Sequence, residues 1–376
     1  MPLLETRVLL VKGPATAVCE GTVYVLGMDV SGKEVSVRAG KVLPFEAGGN
    51  SKVKINLGRW GNYKLLTGNK VGVSIWKDLA NKIVTSKPKC IMLVGANDTG
   101  KSTLTTYLSN IATANGLKVG IVDGDVGQGD LAPPGCIGAS KIQKQFLDLR
   151  DIDAEHYRFI GAPSPRRVEG LVISSMKDIV DKLSTSSDIC IINTDGYIDE
   201  HGIDYKIELA ETLKPDLIVY LGNPTKGNKL LDKFKDKIIR VDAPLHVSKT
   251  HREREKRRLE QYSRFINDGK PIMFSIKNKK FGLAGRLYDI VLENSLIHLG
   301  PKEFSARLLH GMFVGLSSAG NVKGFGVIVR VAHDRITVKT KCADFDTVLL
   351  SNVRLSRDMR RQYQIPLFVD VDRRSE

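Results

Sequence analysis

Eight consecutive residues, Gly95-Ala96-Asn97-Asp98-Thr99-Gly100-Lys101-Ser102, fit the pattern G-x-x-x-x-G-K-[ST] without a mismatch. The pattern constrains the fold because it works only between a strand and a helix. Both are written into the flanks. The apolar run Ile91-Met92-Leu93-Val94 precedes it, and Leu104, Tyr107, Leu108 and Ile111 recur at helical spacing behind it. Glycines let backbone N–H groups turn inward around phosphate oxygens, and the helix N-terminus adds partial positive charge. Gly95, Ala96, Asn97, Asp98, Thr99, Gly100, Lys101, Ser102 and Thr103 are therefore the candidate nucleotide-binding residues. Lys101 would reach the β/γ-phosphates and the Ser102 hydroxyl would hold Mg²⁺. ATP used as a phosphoryl donor is the expectation.

The texture of the 376-residue chain changes on either side of this loop. Up to residue 73 short alternating runs, Thr22–Leu26, Glu34–Val37 and Val53–Leu57, are separated by turn residues such as Gly48-Gly49-Asn50. They predict a small antiparallel β-domain. Over 74–268, nearly continuous apolar runs alternate with helical patterns: Ile91–Val94, Val119–Val122, Ile189–Ile192, Leu217–Tyr220 and Ile238–Val241. Such runs suit parallel strands covered on both faces. From 269 to 376 short strands return, notably Gly324–Val331 and Arg335–Val338. The fold class read here is α/β: a P-loop NTPase core with a mostly parallel sheet, flanked by N-terminal and C-terminal β-domains.

Composition narrows the setting. No run of eighteen apolar residues is present, so no membrane span is expected. Met1–Val11 lacks the pattern of a signal peptide. Five single cysteines (Cys19, Cys90, Cys136, Cys190, Cys342) without a C-x-x-C pair point away from disulfides and structural zinc, and toward a reducing compartment. The expected location is the cytoplasm, or the nucleus in a cell that has one. A net charge of +15 favours a polyanionic partner such as nucleic acid.

A second element follows the strand Val119–Val122, in Asp123-Gly124-Asp125-Val126-Gly127-Gln128. A carboxylate at the carboxyl end of a strand beside the P-loop strand is placed for metal or base work. Asp125 is the better candidate. Asp123 reads equally well as a solvated turn. A guanine-reading N-K-x-D segment is missing, since Asn228-Lys229-Leu230-Leu231-Asp232 has one residue too many.

Four pieces in order resemble the polynucleotide 5′-hydroxyl kinase family, which includes the RNA kinases of tRNA splicing, pre-mRNA cleavage and pre-rRNA processing. They are the P-loop Gly95 to Thr103, with Asn97 where threonine is usual; Asp125-Val126-Gly127-Gln128-Gly129 with Pro134-Gly135 downstream; Asn193-Thr194-Asp195-Gly196-Tyr197, similar to the family's N-T-x-G-W clasp; and the basic helix from Ser248 through Tyr262, similar to its lid. The likeness, of the archaeal type, covers most of the chain.

The resemblance implies an ATP- and Mg²⁺-dependent kinase that phosphorylates the 5′-hydroxyl end of RNA, with DNA a further acceptor. The alternative is a nucleotide-bound scaffold subunit of an RNA-processing complex. Lys101, Asp125 and Arg252 would be catalytic, and Ser102 and Asp125 would serve the metal. Asp125 would either take the proton of the 5′-hydroxyl or hold Mg²⁺ through water. Gln128, Thr194, Gly196 and Tyr197 would bind substrate. Tyr197, where tryptophan is usual, would stack on the terminal base; packing on the sheet edge is the other reading. The run from Lys249 to Arg264 is a lid near 246–264 or a solvated helix with i,i+4 pairs. Arg252 matches the second lid arginine, whereas Val247 stands at the first, with His246 or Lys249 as substitutes. Ser164-Pro165 resembles a substrate loop, and Cys19-Glu20-Gly21-Thr22 falls where the family's N-terminal domain approaches the adenine. Arg354, Arg357, Arg360, Arg361 and Tyr363 could meet an RNA backbone.

Overall fold

The computed structural model describes residues 7–67, 75–224, 228–243, 249–293, 296–300 and 302–365. The chain forms two compact units, which it enters more than once. The first holds Met1–Val122, Ser140–Asp153 and Val180–Glu253; the second holds Asp123–Ala139, Ala154–Ile179 and Arg254–Glu376.

At the centre of the first unit lies the strand Cys90–Gly95, all six residues buried. Ile189–Thr194 pairs with it in parallel on one side and Leu217–Leu221 on the other, with Cys190 opposite Cys90 and Leu217 opposite Ile91. Val119–Gly124 lies beyond the first neighbour, and Ile238–Val241 pairs in parallel with the second. All five strands fall on the apolar runs named above. Each is apolar nearly throughout because helices cover both sheet faces.

The helix Lys101–Ala114 springs from the P-loop, and its buried face joins the core to the N-terminal strands. Asn110, fully buried, makes that junction. Its Nδ2 donates to Leu26 O at 2.9 Å and Phe146 O at 2.8 Å, while its Oδ1 accepts from Phe146 N at 2.9 Å. Gly27 meets the same helix so closely that a Cβ there would lie 2.7 Å from Ile111 Cδ1. The N-terminal strands form two sheets. The five-stranded one runs Met28–Asp29, Val23–Val25, Val42–Ala47, Arg7–Lys12, Asn62–Thr67, and the three-stranded one runs Glu34–Val37, Ala15–Glu20, Lys52–Leu57. Ala15–Glu20 alternates inward and outward residues, as a half-buried strand must.

The second unit contains an antiparallel pairing of Cys136–Ala139 with His156–Phe159, in which Cys136 faces Phe159. The apolar runs do not announce it. Gly138 interrupts the first strand because a Cβ there would lie 2.8 Å from Leu131 Cβ, and the second strand is half-exposed throughout. An eight-stranded sheet and the three-stranded Ile290–Glu293, Leu296–Leu299, Lys302–Ser305 complete the unit. Leu316, Ile328, Phe281 and Val348 form one core, and Phe313, Phe325, Val353 and Tyr262 a second. Tyr262 and Ile266 come from the helix His251–Ile266, whose inner turns are thereby fixed. Tyr262 meets the Phe313 ring edge-on at 4.8 Å.

All five cysteines are free thiols, and Cys19, Cys90, Cys136 and Cys190 are buried. Burial pushes the Cys90 thiol up to about 12, so it is neutral and inert at physiological pH. Among the described residues, no helix is long and apolar enough to cross a membrane.

Candidate nucleotide-binding site

The loop after Cys90–Gly95 closes tightly on its surroundings. A Cβ on Gly95 would lie 2.7 Å from Leu221 O and 2.9 Å from Thr99 Oγ1, so only glycine fits. Gly100 enters the helix at φ 95, a left-handed conformation that glycine adopts freely. Thr99 Oγ1 donates to Ala96 O at 2.9 Å and holds the loop's curl. Lys101 Nζ lies within that curl and donates to Gly95 O and Ala96 O, each at 2.7 Å. Its side chain is buried, so the ammonium charge is delivered at the loop and nowhere else. Ser102, half-buried on the first turn, accepts from Asn193 Nδ2 at 3.4 Å.

The donor set suits a nucleoside triphosphate and a divalent cation. A buried ammonium faces a backbone cradle, and a hydroxyl stands at the helix's positive end. Among the described residues, no three His, Cys, Asp or Glu side chains are grouped to hold a metal unaided.

The segment Thr194–Tyr197 is brought against this loop. A Cβ on Gly196 would lie 2.1 Å from Asn97 Oδ1 and 2.6 Å from Asn97 N. Glycine is thus required at Gly196 by direct contact with the P-loop. The Thr194 hydroxyl, expected to serve substrate, donates to Leu93 O at 2.7 Å and ties the two strands together. Tyr197 is half-buried and stacks on Tyr205, with centroids 6.2 Å apart. Beneath them lies a buried ionic network that the sequence reading missed. Lys206 Nζ is 2.8 Å from Asp195 Oδ2, Tyr205 OH donates to the same oxygen at 3.2 Å, and Asp195 Oδ1 accepts from Tyr197 N at 2.9 Å. Its signal was available, since Lys206 falls on the apolar stripe Ile203, Leu209, Ala210 and Leu213.

Asp98 meets the start of the basic helix. Its Oδ2 accepts from Lys249 N at 3.1 Å, and Lys249 Nζ lies 3.9 Å from its Oδ1. A capping box then starts the helix: Thr250 Oγ1 accepts from Glu253 N at 3.2 Å, and Glu253 Oε2 accepts from Thr250 N at 2.8 Å. Arg252 is exposed on this first turn. His246 and Val247 lie outside the described residues.

In the second unit, Asp125 and Gln128 sit on one tight turn. Asp125 Oδ1 accepts from Gly127 N at 3.0 Å and Gln128 N at 2.9 Å, which fixes the carboxylate's direction. The Gln128 Oε1 is buried without a hydrogen-bond partner. Asp123 is not a solvated turn: it is buried, and its Oδ2 accepts from Asp130 N at 2.6 Å and Leu131 N at 3.2 Å. The basic helix grips this loop. Arg257 pairs with the buried Asp130, Arg264 Nη1 donates to Asp130 O at 2.9 Å, and Gln261 Nε2 donates to Gly129 O and Asp130 O. Several of its charged residues are therefore bonded to the loop, unlike those of a solvated helix. Pro163 O would lie 3.0 Å from a Cβ on Gly127, so the turn containing Ser164-Pro165 adjoins the Asp125 loop.

The remaining candidates are peripheral. Cys19 points inward, and Glu20 pairs with Lys54 on the surface. Arg354 lies over the Tyr363 ring at 5.6 Å, while Arg357, Arg360 and Arg361 are exposed.

A P-loop fused to a parallel sheet, with a glycine-dependent clasp and a capped basic helix beside it, defines an α/β nucleotide-binding protein of the P-loop class. Residues 95–268 match the family described as mRNA cleavage and polyadenylation factor CLP1 P-loop. The chain is also homologous to archaeal proteins named polyribonucleotide 5′-hydroxyl-kinase. One from Pyrococcus horikoshii is 28% identical over 72% of this chain and 73% of its own length. One from Methanocaldococcus jannaschii is 32% identical over 61% and 62%. Clp1p in its complex with Pcf11p shares the fold, with a TM-score of 0.67 at 15% identity over 93% of this chain and 94% of that one.

Proposed function

We propose that the chain is an ATP-dependent polynucleotide 5′-hydroxyl kinase acting on RNA, with DNA as a further acceptor. The observation that supports this reading is the close approach of Gly196 to Asn97, which brings the segment assigned here to the acceptor against the P-loop. The homologues named polyribonucleotide 5′-hydroxyl-kinase support the same choice of reaction.

In the transfer, the 5′-hydroxyl oxygen forms a bond to the γ-phosphorus as the bond to the β,γ-bridging oxygen breaks, leaving ADP. Mg²⁺, when bound, would neutralise the phosphate oxygens from the Ser102 hydroxyl. Lys101 carries the buried positive charge that steadies the transferring group. Asp125, aimed by two backbone N–H groups, is assigned the hydroxyl proton or, alternatively, a water of the metal. Arg252 on the first lid turn spreads charge over the γ-phosphoryl oxygens, and Tyr197 offers a ring to the terminal base. Gln128, with its unsatisfied amide oxygen, is assigned to the acceptor.

The test is transfer of labelled γ-phosphate from ATP to 5′-hydroxyl oligoribonucleotides and oligodeoxyribonucleotides by wild type, Lys101→Ala and Asp125→Asn. Transfer by wild type alone supports the reading. Wild-type transfer no greater than that of Lys101→Ala overturns it, and tight ATP retention in that case would point to a scaffold.

A further inference from the structure

A patch outside the phosphate loop combines exposed rings with exposed positive charge. Two edge strands of the N-terminal sheets, Lys52–Leu57 and Asn62–Thr67, are joined by the turn Gly58-Arg59-Trp60-Gly61. Trp60 is 81% exposed, followed by Tyr63 at 59% and Leu65 at 56%. Tyr63 and Leu65 lie two apart on one strand, opposite Val11 and Leu9, and so share a face. The Arg59 guanidinium lies over the Trp60 ring, 5.4 Å from its centroid.

The turn is built rather than loose. Gly58 N donates to Pro14 O at 2.8 Å, and a Cβ on Gly61 would lie 2.4 Å from that same oxygen. Trp60 is held at φ 71, a conformation that a bulky side chain rarely adopts. A large ring kept in that conformation and left in water gains nothing for the fold. Charge identifies what it suits. Between Glu46 and Asp78 the sequence has no carboxylate, and Arg59 and Lys64 are exposed, whereas Lys54 is paired with Glu20 of the neighbouring strand. Sequence-tolerant capture of single-stranded nucleic acid uses this pairing of aromatic faces with cations that follow the backbone.

We infer that Arg59, Trp60 and Tyr63 form an accessory site for single-stranded RNA, on which bases stack at Trp60 and Tyr63 while Arg59 meets a phosphate. It rests on the polynucleotide reading of the acceptor but lies outside the P-loop residues. Its role is to hold the body of a long substrate strand.

The chain provides its own reporter, because the other tryptophan, Trp76, is fully buried. The experiment titrates wild type with a 5′-phosphorylated dodecauridylate, which has no 5′-hydroxyl to phosphorylate, and follows tryptophan emission. Saturable quenching is expected, lost in Trp60→Asn, which tolerates the left-handed backbone and so keeps the turn. By anisotropy of a labelled strand, Trp60→Asn and Tyr63→Leu should each weaken binding about 5- to 150-fold, with the effect reduced as salt rises. Absence of quenching together with unchanged affinity in both variants overturns the site. So does a dimer that Trp60→Asn dissolves while RNA binding is unaffected, which would assign the patch to self-association. Quenching that persists in a chain unable to transfer phosphate to any acceptor would sink the kinase reading and leave this one standing.

Discussion

Asp98 accepts the backbone N–H of Lys249 at 3.1 Å, so a P-loop residue holds the chain immediately before the basic helix. Asp98 is itself at φ 61, a conformation that Asp and Asn tolerate better than most residues. The loop therefore takes a left-handed conformation at the position whose carboxylate reaches the basic helix.

Asp98→Asn should retain both the backbone conformation and an acceptor for Lys249 N. Asp98→Ala should lose both and lower single-turnover phosphoryl transfer by roughly tenfold, about 1.4 kcal/mol. Parallel thermal melts separate this from general unfolding. Equal rates in Ala and Asn would refute the anchoring role.

Gly196→Ala should be far more damaging than its size suggests. The added methyl meets Asn97 N, a backbone atom, at 2.6 Å, so the clasp or the phosphate loop has to move. The expected result is a loss of ATP affinity of at least tenfold in equilibrium binding. Asn97→Gly in the same chain removes the 2.1 Å clash with Oδ1 but not the backbone one, and should rescue only in part.

Lys206→Met should destabilise the chain by about 3–5 kcal/mol, because it leaves the buried Asp195 carboxylate without its ammonium. Chemical denaturation measures this directly. Adding Asp195→Asn should recover part of the loss, since a neutral amide is cheaper to bury.

Glu46 predicts an unusual pH dependence. Burial raises its carboxyl to about 6, with Lys77 opposing only in part, and its Oε1 has no hydrogen-bond partner. Its folded pKa lies above the unfolded value of 4.5, so the folded chain binds more protons between these values. The contribution of Glu46 is greatest below about pH 4.5 and falls as pH rises through 6, by about 2 kcal/mol in all. Glu46→Gln should therefore stabilise the chain at pH 7.5 and flatten its pH profile in that window. A destabilised Gln variant at pH 7.5 would contradict this.

The parts legible in the sequence were those whose signal is contiguous. Four strands buried throughout and the part-buried Ile238–Val241 read as apolar runs, and the phosphate loop read as an eight-residue pattern. What escaped depends on residues distant in sequence. Asp123 looked like a turn residue because its donors, Asp130 N and Leu131 N, come from a loop that only folding brings round. Asn193 pointed to the clasp, but its bond to Ser102 spans 91 positions. The pair Cys136–Ile142 and His156–Phe159 was hidden by a glycine in one strand and half-exposure of the other. Trp60 carried no motif at all, and only its exposure reveals it.

Asn110 has a consequence for how the N-terminal sheets find their seat. An apolar seam tolerates sliding, since one methyl replaces another at little loss. The carboxamide does not, because its two carbonyl acceptors and one N–H donor come from Leu26 and Phe146 and are met together in one alignment only. Any other alignment would strand a buried amide, at a cost of about 1–3 kcal/mol. Asn110 thus acts less as glue than as a key, rejecting misregistered docking during folding. A leucine in its place would leave Leu26 O, Phe146 O and Phe146 N without this partner, and should both weaken the seat and position it less well.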